Sequence, residues 1–193
     1  KDVAQRVGAR LGKSLLELGG NNAIIITPNA DLDTAIRAAV FGAVGTCGQR
    51  CTSTRRLIVH EAIFDRFTKS LQKAYTQLRI GDPLDENNHV GPLIDADAVA
   101  TYMDALAKVD DQGGEWLVPG GKLNETDFES GCYVKPAVAI IDHDAAIVHQ
   151  ETFAPILYIM KYTGGVEEAI AIQNEVKQGL SSSIMSLNMQ ETE

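Results

Sequence analysis

Short β-branched runs alternate with amphipathic stretches along most of this chain, and that alternation restricts its architecture more than any other feature. Ala23–Thr27 (AIIIT) is almost wholly apolar and closes at Pro28, the pattern of a strand buried on both faces. Asp31 predicts a helix N-cap, followed by an apolar stripe of Leu32, Ile36, Val40 and Val44 that Gly42 and Gly45 weaken toward its end. A second strand is expected over Arg56–His60. Ile63, Phe67, Leu71, Tyr75 and Leu78 then mark an amphipathic helix, stopped by Gly81-Asp82-Pro83 because proline disfavours helix in the residue before it. Another helix is expected over 95–110, with Val99, Met103 and Leu106 on one face. Strands over Trp116–Val118 and Tyr133–Ile141 flank a loop rich in glycine and polar residues. A strand over Ile156–Tyr162, a helix over Val166–Lys177 and a strand over Ser182–Leu187 complete the pattern. Strands alternating with helices need right-handed crossovers, so the expected fold class is α/β, a mostly parallel sheet covered by flanking helices.

The first residues read differently. Val3, Val7 and Leu11 recur every four positions as in a helix, and Ser14–Leu18 predicts a short strand ending at Gly19-Gly20. A chain that opens inside a helix, without methionine, is expected to be a piece of a longer protein.

Charge and cysteine usage exclude whole classes of function. The 17 basic and 26 acidic side chains leave a net charge of −9, which opposes the clustered positive charge that nucleic acids require. No apolar run approaches the roughly 20 residues that span a bilayer, so no membrane partner is expected. Three cysteines and no signal peptide do not suit a disulfide framework and favour a reducing, cytoplasmic setting.

The segment VGTCGQRCTST (44–54) places Cys47 and Cys51 in one glycine-rich turn. Metal ligation, disulfide formation, nucleophilic catalysis and simple packing are all compatible with it. Cys47, Cys51, Cys132, His143 and His149 lack the paired short spacings of a closed zinc site, so no metal is expected. Gly120-Gly121-Lys122 lacks both the earlier glycine and the following Ser or Thr of a phosphate loop, and no G-x-S-x-G elbow is present. What remains is a cysteine in a glycine-rich turn and a carboxylate, Glu17, before Gly19-Gly20.

These two segments, LELGGN (16–21) and GQRCTS (48–53), resemble the glutamate and cysteine signatures of the aldehyde dehydrogenase superfamily, in its usual register of 34 residues. ETFAP (151–155) resembles its later E-x-F-x-P element, and IGDP and GPLI fall where the family has similar segments. LLELGGNNAII, VGTCGQRCTSTRRL and NEVKQGLSSSI resemble the α-aminoadipic semialdehyde dehydrogenase branch in particular.

The resemblance implies a chemistry that suits these residue types. Oxidising an aldehyde by hydride removal needs a tetrahedral adduct, and a thiolate supplies one that leaves a readily hydrolysed thioester. A free thiol, with a pKa of about 8.5, is only partly ionised at neutral pH, so the site is expected to favour the anion. Cys51 is then the nucleophile, its backbone N–H an oxyanion donor, and Glu17 the base that activates the deacylating water. Partial burial at a strand end is expected to raise the Glu17 pKa. Glu151 and Phe153 are implied as contacts to the nicotinamide end of NAD, with Leu18 and Gly19 approaching through their backbones; NADP is not distinguished. Arg50 and Thr52, flanking the nucleophile, are implied as substrate contacts, Arg50 for the carboxylate of the semialdehyde.

Each residue has a plainer alternative. Cys51 could be an inert buried thiol, Glu17 a surface carboxylate, Phe153 part of the core, and Arg50 a solvated charge or an internal ion-pair partner. Cys47, where the branch has a small apolar residue, reads as a spare buried thiol. The resemblance further implies that residues 1–18 end a cofactor-binding domain, that 19–193 form the nucleophile-bearing catalytic domain, and that the parent is a homo-oligomer. The chain alone is expected to be inactive. The competing reading is an isolated α/β domain that binds a partner or ligand without catalysis.

Overall fold

The computed structural model describes residues 1–123 and 128–192. A helix, α1 (Asp2–Ala9), buries none of its residues. It is followed by β1 (Asn22–Ile26), α2 (Leu32–Val44), β2 (Thr54–His60), α3 (Glu61–Tyr75) and α4 (Ala96–Asp111). Then come β3 (Glu115–Val118), β4 (Gly121–Lys122), β5 (Val134–Lys135), β6 (Ala137–Ile140), β7 (Ile156–Tyr162), α5 (Val166–Gln173) and β8 (Ser182–Met185).

Six strands form one sheet in the order β3-β6-β7-β2-β1-β8, with β4 and β5 a separate pair. Every pairing in the large sheet is parallel except that of β3 with β6. The expected fold class is therefore observed. All five residues of β1 and six of the seven in both β2 and β7 are buried, as strands covered on both faces require. Helices α2 and α3 pack against each other and over β2, while α5 lies against β1 and β2. Each Ile or Leu fully buried in this centre contributes roughly 1.5–3 kcal/mol. Among the described residues, no helix is long and apolar enough to cross a membrane.

Several local expectations need correction. Ser14–Leu18 is irregular and exposed rather than a strand. Both edges of β1 are occupied, by β2 and β8, so the segment has no adjacent strand edge there to extend. In α2 the inward face is Ala35, Ala39, Ala43 and Val44, with Leu32, Ile36 and Val40 only half-buried, because small side chains let the helix approach the sheet closely. Tyr102, not Met103, fills the core beside Val99 and Leu106. Pro136 divides the strand expected over Tyr133–Ile141 into β5 and β6. The expected loop before it contains β4, and its residues 124–127 lie outside the described residues. The α3 and α5 helices end earlier than their patterns suggest, at Tyr75 and Gln173.

The Asp31 and Asp95 caps form as their chemistry dictates. Each accepts the backbone N–H three residues on, at 2.8 Å, from Thr34 and Ala98.

Candidate active site

Three segments converge at the amino ends of adjacent strands: residues 17–21 before β1, 45–53 before β2, and 151–155 before β7. The cysteine turn leaves α2 through three consecutive left-handed residues, Thr46 (φ 51°), Cys47 (φ 54°) and Gly48 (φ 68°). Gly48 packs so tightly that an added Cβ would lie 2.5 Å from the backbone of Ala154. A Cβ on Gly20 would lie 2.4 Å from the Cys51 carbonyl, and one on Gly19 would meet the Glu151 carboxylate. The glycines of the two sequence signatures are thus the places where the three segments touch. Asn22, the first residue of β1, adds a clamp: its Nδ2 donates at 2.8 Å to the carbonyls of both Cys51 and Ser53.

Arg55, on β2, occupies the centre of this convergence and is almost completely buried. Its Nε donates to Gly20 O (3.3 Å) and its Nη1 to Gly48 O (3.1 Å). Its Nη2 donates to Arg50 O (3.0 Å) and to Glu151 Oε1 (3.2 Å). The Phe153 ring lies over the guanidinium with its centroid 5.3 Å away, and Phe153 itself is held at φ 56°. Burial lowers the Arg55 pKa from its usual value, and the neighbouring Glu151 carboxylate opposes that shift. Glu151 Oε1 also accepts the Gly20 N–H at 3.0 Å.

The two cysteines of the turn sit in opposite environments. Cys51 is exposed, whereas Cys47 is buried, and desolvation pushes its thiol up to about 12. Cys47 is thus the buried thiol that its sequence context suggested. Among the described residues no acceptor takes the Cys51 N–H. Glu17 lies in the segment leading to Gly20 but is exposed, so the expected partial burial is absent, as is the strand that would have supplied it. Among the described residues no hydrogen bond joins Glu17 to Cys51. Leu18 and Thr52 are likewise exposed. Phe153 is 42% exposed and so is not a core residue.

Among the described residues Arg50 forms no ion pair. Its Nε donates to Thr46 Oγ1 at 2.9 Å and its guanidinium lies 5.3 Å from the Phe41 ring centroid. It borders a cleft of about 900 Å³ between α2 and the end of α3, lined also by Ile36, Val40, Phe41 and Leu78. Cys51 is not among the residues lining that cleft.

Arg55 and Asn22 were not singled out from the sequence. The available signal was Arg55-Arg56 entering an otherwise apolar strand, where two adjacent charges must face opposite sides of the sheet. Arg56 is buried as well, donating to the carbonyls of Asn21, Ile172 and Gln173. Burial lowers its pKa to about 10, against the pull of Glu175.

The whole chain, residues 1–193, matches the sequence model of the aldehyde dehydrogenase family. It is 50% identical over 190 residues to the alpha-aminoadipic semialdehyde dehydrogenase of Bos taurus, covering 98% of this chain and 34% of that protein. It is 47% identical over 184 residues to aldehyde dehydrogenase family 7 member A1 of Pisum sativum, covering 95% and 35%. The chain thus spans about a third of the length of these curated relatives. A solved structure of 3,6-anhydro-L-galactose dehydrogenase in complex with NAP matches with a TM-score of 0.94 at 32% identity, covering 99% of this chain and 40% of that one. Since the match runs from the first residue to the last, through all three segments that meet at Arg55, the chain belongs to the aldehyde dehydrogenase family.

Proposed function

We propose that this chain carries the nucleophile-bearing part of an enzyme that oxidises an aldehyde to a carboxylic acid with NAD or NADP, and that the aldehyde is α-aminoadipic semialdehyde. The observation that carries the reading is the convergence of the Glu17, Cys51 and Glu151 segments around one buried arginine. The Cys51 thiolate attacks the carbonyl carbon, forming a C–S bond while the π pair moves to oxygen. The Cys51 N–H, which has no other acceptor among the described residues, donates to that oxyanion. The cofactor, when bound, supplies the hydride acceptor that turns this thiohemiacetal into a thioester. Glu17 takes a proton from water as it attacks the thioester, releasing the acid and restoring the thiolate.

The residues present suit the nicotinamide ribose. One oxygen of Glu151 is fixed by Gly20 and Arg55, and the other is without a partner among the described residues and free to accept from a sugar hydroxyl. Phe153, half-exposed beside it, offers a face to the ring. The relatives' greater length and the position of these contacts at one end of a dinucleotide support inactivity of the chain by itself.

Intact-mass analysis of the full-length enzyme after exposure to aldehyde and NAD tests the proposal. An acyl adduct on Cys51 is expected, accumulating in Glu17→Gln as an initial NADH burst followed by slow turnover. Unchanged dehydrogenation by Cys51→Ala would remove the reading. For the substrate, Arg50 at the cleft beside Phe41 is the proposed carboxylate contact. Arg50→Ala is expected to lose roughly 10- to 150-fold in kcat/KM on the semialdehyde, the equivalent of about 1.5–3 kcal/mol, and little on an uncharged aldehyde of similar length. Equal losses on both substrates would reassign Arg50 to support of the cysteine turn.

A further inference from the structure

The peptide group between Arg50 and Cys51 holds both the carbonyl that Arg55 grips and the N–H proposed as oxyanion donor. A peptide unit is planar and trans, so fixing the direction of its C=O fixes the opposite direction of its N–H. Two donors hold the Arg50 carbonyl, the Arg55 Nη2 at 3.0 Å and the Ser53 N–H at 3.1 Å. The next carbonyl, that of Cys51, is held by Asn22. The cysteine backbone is therefore pinned on both sides of the nucleophile. The same Nη2 that grips Arg50 O also donates to Glu151 Oε1, while Nε and Nη1 hold the carbonyls of Gly20 and Gly48.

We infer that Arg55 is a positioning residue that couples the two halves of the site, with one guanidinium aiming the Cys51 N–H and setting the orientation of the Glu151 carboxylate. The inference rests on the proposed roles of Cys51 and Glu151. A planar fork with five fixed donors meets four acceptors from three chain segments at once, which a lysine ammonium at one point in space does not reproduce. Phe153 closes one face of the fork. Arg55 is almost completely buried, and its proposed effect on the site passes through Arg50 and Glu151.

Arg55→Lys in the full-length enzyme, which keeps the charge and removes the fork, tests the inference. Three rates or constants separate positioning from general support. Pre-steady-state acylation is expected to fall at least about tenfold, because a misaimed oxyanion donor weakens the transition state. The cofactor KM is expected to rise about tenfold as Glu151 loses its orientation. Alkylation of Cys51 by iodoacetamide develops no oxyanion and is expected to stay within about threefold. An Arg55→Lys enzyme that folds and shows unchanged acylation and cofactor KM overturns the inference. So does a fall in acylation and alkylation by the same factor, which would mean a disordered turn. If Arg55→Lys does not fold, Arg55→Ala assayed in non-denaturing guanidinium chloride replaces it: acylation that rises with guanidinium supports the inference, and a flat response overturns it. Activity retained in Cys51→Ala would instead defeat the catalytic reading itself. An inactive Cys51→Ala with an unaffected Arg55→Lys defeats the inference alone.

Discussion

Cys47 and Cys51 differ by four positions and by almost everything else that governs a thiol. Iodoacetamide near neutral pH is expected to label Cys51 first and Cys47 last, with peptide mapping of the full-length enzyme as the measurement. Cys47 also gives stability a pH dependence with a definite sign. Its folded pKa of about 12 lies above the ordinary value near 9, so the unfolded chain loses its proton first as pH rises. The stabilising contribution is complete below about pH 9 and declines toward pH 12. Denaturant unfolding of Cys47→Ala is expected to show a shallower alkaline loss of stability than the parent sequence; parallel curves would disprove the linkage. At this scale the sequence marked Glu17 and Cys51 through their resemblance to two family signatures, and Cys47 as a spare thiol through its context. It concealed Arg55, because an arginine beside another arginine resembles a solvated charge until the strand's neighbours are known.

The cysteine turn is the element whose backbone does the most. Gly48 combines a left-handed conformation with contact against Ala154, while Gly113 is left-handed in open space. Gly113→Ala is expected to cost about 1–2 kcal/mol, the penalty of the backbone conformation alone. Gly48→Ala is expected to cost more, about 3 kcal/mol or above, since the turn must also retreat from β7's approach segment. Thermal unfolding of both variants checks the ranking, and equal losses would mean that the Gly48 contact relaxes easily. Helix α3 was legible because its apolar residues recur at a strict helical spacing. The inward alanines of α2 were not, because small residues carry little weight in any apolar pattern although they set how closely a helix docks. Ser14–Leu18 failed because an apolar stretch without β-branched or aromatic residues has little strand preference of its own.

For the molecule as a whole, the alternation of strands and helices disclosed the α/β class but not the strand order. That order depends on which edges remain free as crossovers accumulate, and no local pattern records it. It matters because β7, β2 and β1 lie side by side and each delivers one segment of the site. Calorimetry of the isolated chain is expected to show no micromolar affinity for NAD, since the residues proposed here reach only the nicotinamide end. Tight binding would show that the chain holds more of the cofactor than that.

The placement of β2 between β1 and β7 also sets a clock. Arg55 and Glu151 are 96 residues apart in the chain. At a synthesis rate of about 5–20 residues per second, roughly 5–20 s pass between the emergence of one and the other. Through that interval the arginine has left the ribosome without its carboxylate, and the cysteine turn lacks the segment against which Gly48 packs. The strands on the amino-terminal side can pair early, but Gly48 and Arg55 meet their partners among residues 151–155 only once the segment leading into β7 has been made.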